Sequence, residues 1–240
     1  KATDHGPQNG FEVERTIGGN VLILREGRLK SKDLPFYTDT KTILNVLNDT
    51  LKSAIQFYQG KAPAHFMKLH SQPLDSLLKP MMHRSDNFFA EQSLLMVSNE
   101  LLGIMNDAKI IDTLLKTDYK DLPQRPHWAD GSGLSRYNLF TPQDFVFILN
   151  KMQTDFGMDR IKNIFATGNT GTLANLYKAE TGYIFAKTGT LSGVVALSGF
   201  LYTKKNKLLI FSVLVNNHQS SASQVRKAIE QFVEGVRNKY

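Results

Sequence analysis

The stretch GYIFAKTGTLSGVVALSGFLYT, from Gly182 to Thr203, decides the fold of the last third of the chain. Residues 182–189 and 193–203 are rich in β-branched and aromatic residues, and residues 207–217, KLLIFSVLVNN, form a third such run. A tight turn is expected between the last two runs at 204–206. The pattern predicts an antiparallel meander of three strands, followed by an amphipathic helix over 221–240.

A single lysine, Lys187, interrupts this apolar stretch and is followed by Thr188-Gly189-Thr190. An unpaired buried cation would cost several kcal/mol, so we expect Lys187 at a strand end or on a face that lines a site. The two threonines alternate with glycine and therefore project to one side, while Gly189 leaves room for a close backbone. The segment predicts a strand edge for an anionic, peptide-like ligand; the alternative is a β-bulge with an exposed lysine.

The middle of the chain has the apolar spacing and the terminal residues of helices. Five helices are predicted, at 38–60 with Gly60 as the stop, 73–84 with a break at Pro80, 85–103, 107–119 and 141–156. Residues 11–17 and 20–27 predict a hairpin or two short strands. A sheet layer packed against a helical cluster, with a cleft between them, is an α+β arrangement. We expect a β-rich lead-in at 1–37, a helical subdomain at 38–180, and sheet plus helix at 181–240.

Composition narrows the function classes. The chain has 240 residues and no cysteine, which excludes a thiol nucleophile and a cysteine-ligated metal. No apolar run is long enough for a transmembrane helix. The net charge is +7, but the basic residues are scattered. We therefore expect no nucleic-acid partner, and we expect association with an acidic polymer such as a cell wall, or with a membrane surface.

A second polar motif, Ser85-Asp86-Asn87, precedes the predicted helix 85–103. These residue types are the usual helix caps, and that is one interpretation. The other interpretation is functional: a hydroxyl that relays a proton and a carboxamide that holds a substrate amide. Ser-Asp-Asn together with Lys-Thr-Gly belongs to the motif set of β-lactamases and penicillin-binding proteins.

Four segments narrow this match, at 77–92, 129–144, 168–173 and 185–203 (LLKPMMHRSDNFFAEQ, ADGSGLSRYNLFTPQD, GNTGTL and FAKTGTLSGVVALSGFLYT). In order and spacing they resemble the penicillin-binding proteins of the D-alanyl-D-alanine carboxypeptidase/endopeptidase type, the class C low-molecular-mass group or peptidase family S13. The resemblance covers roughly residues 38–240. It implies the α+β fold shared by serine β-lactamases and penicillin-binding proteins, with an antiparallel sheet and C-terminal helix packed against a helical cluster.

The resemblance also implies roles for the motif residues. Ser85 would assist proton transfer to the leaving amine, Asn87 would bind the substrate amide, and Lys187 would support Ser85 electrostatically. Thr188, Gly189 and Thr190 would bind the terminal carboxylate, and the Thr190 N–H would form half of an oxyanion hole. Such an enzyme requires no metal and no organic cofactor.

The serine nucleophile of the family belongs to a Ser-x-x-Lys motif, in which the lysine activates the serine. The chain has one such tetrad, Ser76 to Lys79. We reject this serine as the nucleophile because the tetrad lies just before Ser85, whereas the family places its nucleophile far upstream. We therefore expect a C-terminal fragment whose incomplete sheet leaves an edge on 207–217. A partner strand would come from 11–17, 20–27, the missing N-terminal segment or a second chain.

The function expected from the resemblance is a serine D-Ala-D-Ala peptidase of the periplasm or cell envelope. It would act on peptidoglycan stem peptides through an acyl-enzyme and would bind β-lactams as inhibitors. The alternative is a non-catalytic peptidoglycan-binding module that retains the cleft. Carboxypeptidase and endopeptidase activity both remain open.

Three other polar groups are not expected to carry chemistry. His65 and His70 do not have the spacing of a helical zinc pair. His127 and Asp130 are interpreted as residues that shape the 129–136 loop. The GNTG segment at 168–171 lacks the lysine of a phosphate-binding loop, so no nucleotide is expected.

Overall fold

The computed structural model describes residues 12–25, 36–61, 63–65, 67 and 70–240. These residues belong to two compact units, Lys1–Leu69 and His70–Tyr240. The division of the chain at residues 37 and 180 stays a prediction. The predicted β-rich lead-in includes 1–11 and 26–35, which lie outside the described residues.

The first unit contains the predicted hairpin and one helix. Strand β1, Glu12–Arg15, pairs antiparallel with β2, Leu22–Arg25, in a sheet of two strands. Helix α1 spans Thr40–Leu51, and the Asp39 side chain caps it by accepting a hydrogen bond from the Thr42 amide. The pairing of β1 with β2 confirms the predicted hairpin.

Helix α1 ends well before Gly60, so the prediction that Gly60 stops it is wrong. Lys52 adopts a left-handed conformation with φ of 51° and closes the helix. Three residues on, the Ile55 amide donates to the Asn48 side chain, 2.5 Å away. The turn therefore replaces helical hydrogen bonds with a side-chain acceptor, a competition typical of asparagine.

Four helices form the first part of the second unit: α2 (Asp75–Arg84), α3 (Asn87–Leu102), α4 (Asp107–Lys116) and α5 (Pro142–Ile164). The predicted break at Pro80 is wrong, because α2 continues through that residue. Proline has no N–H, so the carbonyl four residues earlier, on Ser76, loses its helical donor. Ser76 is exposed, and water can take the place of that donor.

Helix α5 extends beyond the predicted end at residue 156. Thr141 and Asp144 form a capping box at its start, each side chain bonded to the other's backbone amide. Gly157, with φ of 74° and ψ of 159°, interrupts the helical conformation. The helix resumes because Ile161 and Ile164 beyond the interruption are buried in the core.

The second half of this unit is an antiparallel sheet in the order β3-β4-β5-β6. Its strands are β3 (Ala166–Thr167), β4 (Ile184–Leu191), β5 (Val194–Tyr202) and β6 (Leu208–Asn216). The predicted meander is confirmed. Strand β3 was not predicted, because two residues carry too little pattern to distinguish a strand from a loop.

Helices cover both faces of the sheet. Helix α6, Ala222–Lys239, packs on one face, where alternate residues of β4 and β5 meet Ile229 and Val233. Helix α5 lies on the other face, where Phe185 and Phe200 are buried. This two-sided arrangement of helices on an antiparallel sheet confirms the predicted α+β class.

The outer edge of the sheet is open. Strand β6 pairs with β5 along its length, and no other described strand pairs with its far side. A long row of unpaired backbone N–H and C=O groups favours pairing with a further strand. The expectation of an edge on 207–217 therefore holds for the part of the chain that the structure describes.

Candidate functional site

Ser85 lies at the junction of two helices. It caps the C-terminus of α2 with φ of 56° and ψ of 52°, in the left-handed region. The next residue, Asp86, caps α3 by accepting a 3.0 Å hydrogen bond from the Phe89 amide. A non-glycine residue in this region is held there by its surroundings, and here two helix ends fix the serine.

Lys187 reaches Ser85 from the sheet. Its Nζ donates to Ser85 Oγ at 2.7 Å and to the Thr188 carbonyl at 2.7 Å. Because side chains alternate along a strand, Lys187 shares the face of Phe185, which packs toward α2 and α5. Burial lowers the pKa of its ammonium group. Its two hydrogen-bond acceptors are neutral oxygens, so among the described residues no carboxylate balances its charge.

A groove of about 580 Å³ connects these motifs. Ser85, Thr188 and Thr190 line it, with further walls from Thr172, Ala174, Leu176, Ser223, Arg226, Lys227 and Glu230. Asn87 lies exposed in the first turn of α3 and is not among the lining residues. The structure therefore brings the serine, the lysine and both threonines to one site, and leaves Asn87 at its margin.

Gly189 has a packing reason of its own. A Cβ added there would lie 3.3 Å from the Ala196 Cβ on β5, tighter than most real contacts. The absence of a side chain thus suits the neighbouring strand as well as an approaching ligand. The expected clearance for a ligand backbone stays a prediction.

The margin of β4 is open for pairing. Strand β3 pairs with Phe185 and Ala186, and no described strand pairs with the same side of Lys187–Leu191. Backbone N–H and C=O groups along this margin can add an extended peptide as a further strand. The groove thus joins an unpaired strand edge to a serine hydroxyl that accepts from a lysine ammonium.

Residues of α6 complete the groove, and sequence reasoning missed them. Ser223, Arg226, Lys227 and Glu230 are spaced so that they share one helix face. The Arg226 Nη2 donates to Thr190 Oγ1 at 2.9 Å. The polar i, i+3, i+4, i+7 spacing in 221–240 was a signal for this second face, distinct from the apolar one.

The GNTG segment also shapes the groove. Gly171 has φ of 51°, and a Cβ there would lie 2.9 Å from the His83 carbonyl oxygen of α2. The Thr170 hydroxyl donates to the Thr167 carbonyl at 2.8 Å and tightens the turn. This packing carries Thr172 into the groove wall, which gives the glycine-rich segment a role without a nucleotide.

The 129–136 loop is held by carboxylates, which agrees with a structural role for Asp130. That carboxylate accepts from the amides of Gly133 and Ser135, both at 2.6 Å. Glu91 on α3 accepts from the amides of Gly131 and Ser132, both at 3.0 Å. The loop is therefore tied to the helix that begins at the Ser-Asp-Asn motif.

The loop also reaches the sheet. Arg136 donates to the Ser192 carbonyl at 3.2 Å, in the turn between β4 and β5.

The rejected pair, Ser76 and Lys79, lies elsewhere on α2: the lysine donates to Asn163 Oδ1 at 3.4 Å, and no hydrogen bond joins it to Ser76. In the part of the chain that the structure describes, no group of three or more His, Asp or Glu side chains suits a metal ion.

Comparison with known proteins gives the following matches. The model of the D-Ala-D-Ala carboxypeptidase 3 (S13) family matches residues 40–236. Over 166 residues the chain is 32% identical to a D-alanyl-D-alanine carboxypeptidase of Actinomadura sp. (strain R39), covering 63% of this chain and 30% of that protein. Over 178 residues it is 26% identical to the D-alanyl-D-alanine carboxypeptidase DacB of Haemophilus influenzae, covering 71% of this chain and 37% of that protein.

A solved structure is also similar. The crystal structure of penicillin binding protein 4 from Haemophilus influenzae superposes with a TM-score of 0.61 at 21% identity, over 95% of this chain and 57% of that one. At this identity the likeness shows the fold. The chain spans between 22% and 37% of the length of the curated relatives it matches. None of the described helices is long and apolar enough to cross a membrane.

Proposed function

The chain belongs to the D-Ala-D-Ala carboxypeptidase 3 (S13) family, and on this premise we propose that it supplies the cleft of a serine-type D-Ala-D-Ala peptidase. The observation that carries the proposal is the 2.7 Å contact between Lys187 Nζ and Ser85 Oγ in a groove that also contains Thr188 and Thr190. The substrates are peptidoglycan stem peptides that end in D-alanine. The three-part division at residues 37 and 180 is part of the same proposal.

The nucleophile, we propose, lies outside these 240 residues. Ser76 is the one serine followed by lysine at the third position, and its lysine is turned toward Asn163. The relatives are also much longer than the matched region. The segment with the nucleophile would add a strand to the open edge of β6 and bring its serine to the groove; a second chain is another source of such a strand.

The proposed reaction has two steps. The nucleophilic serine oxygen bonds to the carbonyl carbon of the penultimate D-alanine, and the peptide bond to the last D-alanine breaks. The serine proton reaches the leaving amine through Ser85, whose hydroxyl can accept one proton and donate another. Water then attacks the acyl-enzyme ester, which releases the shortened peptide and restores the serine.

Lys187 supports the proton transfer. Its ammonium donates to Ser85 Oγ, so the serine oxygen keeps its own hydrogen available for the leaving amine. A positive charge also lowers the energy of negative charge that develops nearby in the transition state. Its burial strengthens this effect, because fewer waters compete for the field.

The other motif residues bind the substrate. Thr188 and Thr190 hold the terminal carboxylate, and the Thr190 N–H contributes to the oxyanion hole. Gly189 leaves space for the peptide along the open margin of β4. Asn87, at the margin of the groove, turns toward the substrate amide when a ligand is bound.

β-Lactams resemble the D-Ala-D-Ala terminus and acylate the same serine in this proposal. The Haemophilus influenzae relative was crystallised in complex with a β-lactam, which supports this assignment. The site of action is the periplasm or cell envelope, where peptidoglycan lies, and the net charge of +7 favours association with an acidic wall.

Labelling the full-length protein with a fluorescent penicillin tests the proposal. We expect a covalent adduct, and peptide mapping by mass spectrometry should place it on a Ser-x-x-Lys serine outside residues 1–240. Ser85→Ala should lower the labelling rate about 10²-fold, as expected for loss of a proton relay. Ser76→Ala is the control and should label normally.

Two outcomes would contradict the proposal. An adduct lost in Ser76→Ala would move the nucleophile into α2. A full-length protein that binds purified peptidoglycan and forms no adduct would favour the alternative, a binding module that retains the cleft.

A further inference from the structure

We propose that Arg226 of α6 is a positioning and specificity residue, which orients the Thr190 hydroxyl toward the carboxylate of the ligand. This inference rests on the proposed function of the groove and adds a residue from outside the sequence motifs. Arg226 Nη2 donates to Thr190 Oγ1 at 2.9 Å. Both residues line the groove that contains Ser85.

The donor and acceptor capacity of the Thr190 hydroxyl determines what the contact with Arg226 does. A threonine hydroxyl has one hydrogen to donate and two lone pairs that accept. Because Arg226 occupies a lone pair of Thr190, the hydroxyl hydrogen is free to donate into the groove. A charged donor on the oxygen also polarises the O–H group and makes it a better donor to an anion. The guanidinium thus sets the direction and the strength of the Thr190 hydroxyl.

The charges around Arg226 favour an anionic ligand at this end. Arg226 is half-buried and forms no ion pair with a carboxylate of the described residues. One turn along α6, Glu230 lines the same groove, but its carboxylate accepts from the Tyr177 amide at 2.6 Å. The positive charge at Thr190 is therefore not cancelled by an ion pair. A carboxylate is drawn to the Thr190 end of the groove and repelled from the Glu230 end.

The local fold holds the arginine in place. Ser221 and Gln224 form a capping box that fixes the start of α6. The neighbouring apolar face of the helix is anchored by Ile229 in the core under the sheet. Arg226 therefore projects from a rigid helix toward the end of β4, and its contact with Thr190 does not depend on a mobile loop.

The expected consequence is selectivity for ligands with a free carboxylate. In the full-length protein, Arg226→Gln should lower the second-order rate of acylation by a penicillin with a free carboxylate about tenfold, the order expected for loss of one charge-assisted hydrogen bond. The methyl ester of the same penicillin should react with the wild type and the variant at equal rates. Arg226→Lys keeps a charged donor and should recover most of the lost rate.

A matched variant distinguishes the effect of the Arg226–Thr190 hydrogen bond from the effect of positive charge on the groove wall. Lys227→Gln removes the same charge from the same wall, but Lys227 makes no hydrogen bond to Thr190. Its effect should be about twofold, as expected for a screened surface charge. In a Thr190→Val background, Arg226→Gln should add less than about twofold, because coupled residues are not additive.

Each outcome discriminates. Three results would overturn this inference and leave the proposed function intact. In the first, the wild type labels and Arg226→Gln labels at the same rate. In the others, Lys227→Gln and Arg226→Gln lose equal labelling rate, or the effect of Arg226→Gln on the rate is fully additive with Thr190→Val. A full-length wild type that forms no adduct would overturn the proposed function and this inference with it. Thermal unfolding of each variant shows whether a lost rate reflects a lost fold. If Arg226→Gln does not fold, Arg226→Ala takes its place in the comparison with the ester and with Lys227→Gln.

Discussion

Lys187 Nζ lies 2.7 Å from Ser85 Oγ, although 102 residues separate the two in the chain. The lysine comes from the central part of strand β4, and the serine from the turn between two helices. The contact forms only when the sheet packs against α2, so it depends on the correct assembly of the two layers. It also places a cation in a half-buried site where no carboxylate of the described residues pairs with it.

Replacing this lysine should separate stability from activity. A half-buried ammonium without a counter-ion destabilises the fold, so Lys187→Met should leave the unfolding temperature of the full-length protein unchanged or raise it. The same change should lower the rate of acylation by penicillin about 10²-fold, as loss of an electrostatic group at a reacting centre does. Thermal unfolding and labelling rates check the two effects.

Lys79→Met is the control for that experiment, because it removes a lysine from α2 that donates to Asn163 outside the groove. It should leave the labelling rate unchanged. A marked loss of stability in Lys187→Met would show that the lysine contributes more to packing than its burial costs.

The burial of Lys187 should also affect how the free energy of unfolding varies with pH. Burial lowers the pKa of Lys187, whereas an unfolded lysine has a pKa of about 10.4. Between the two values the unfolded chain binds more protons than the native one, so the native state gains stability as pH rises. Relative to Lys187→Met, the wild type should therefore gain free energy of unfolding as pH rises toward 10.4. Urea unfolding of both proteins, at intervals from pH 7 to pH 10.5, measures the difference, and a constant difference would count against the burial of the cation.

Gly171 should resist substitution. Alanine there would have a φ of 51° and a Cβ within 2.9 Å of the His83 carbonyl oxygen. We expect Gly171→Ala to lower the free energy of unfolding by about 1–3 kcal/mol. Chemical unfolding of the full-length protein measures this change.

Gly235 in α6 provides the comparison for Gly171. Apart from its chain neighbours and the backbone of its own helix, no described residue has a heavy atom within 4 Å of a Cβ added there. Gly235→Ala should raise the free energy of unfolding by about 0.5–1 kcal/mol, since alanine is the better helix former. Equal effects at the two glycines would contradict the tight packing of the GNTG segment against α2.

Glu91 should contribute to stability through the loop at 129–136. Its two oxygens accept from the amides of Gly131 and Ser132. In Glu91→Gln, one oxygen becomes an NH₂ group that faces a backbone donor, so we expect a loss of about 1–2 kcal/mol. Glu100→Gln, on an exposed position of the same helix, should change stability by less than about 0.5 kcal/mol. Hydrogen exchange of the Gly131 amide would show whether the loop itself loosens.

The strong periodic patterns predicted most of this architecture. The meander, α6 and the helices at α3 and α4 follow from alternation or helical spacing with clear caps. The errors fall where tertiary context competes with local signals. Helix α2 continues through Pro80 because Ser76, whose carbonyl loses its helical donor, is exposed to water. Helix α1 ends at Lys52 because Asn48 offers an alternative acceptor.

The site was predictable as far as its motifs extend. Ser85, Lys187, Thr188 and Thr190 could be named as candidates from the Ser-Asp-Asn and Lys-Thr-Gly motifs, because these short polar groups stand out beside strongly patterned helices and strands. Arg226 and Glu230 could not be identified in this way: on an amphipathic helix, charged residues normally face solvent. Only the folding of α6 beside β4 turns that polar face into a groove wall.

The alternation of β4 has a further consequence for evolution and engineering. Phe185 and Lys187 share one side of the strand, while Ala186 and Thr188 share the other. Inserting or deleting one residue within β4 would exchange the two sides, because side chains repeat every second residue. The ammonium would then enter the apolar layer beneath α6, and the aromatic ring would leave its pocket. The catalytic face and the core face of this strand thus depend on the same alternation of side chains. A change of length that inactivates the site would therefore also unfold the protein.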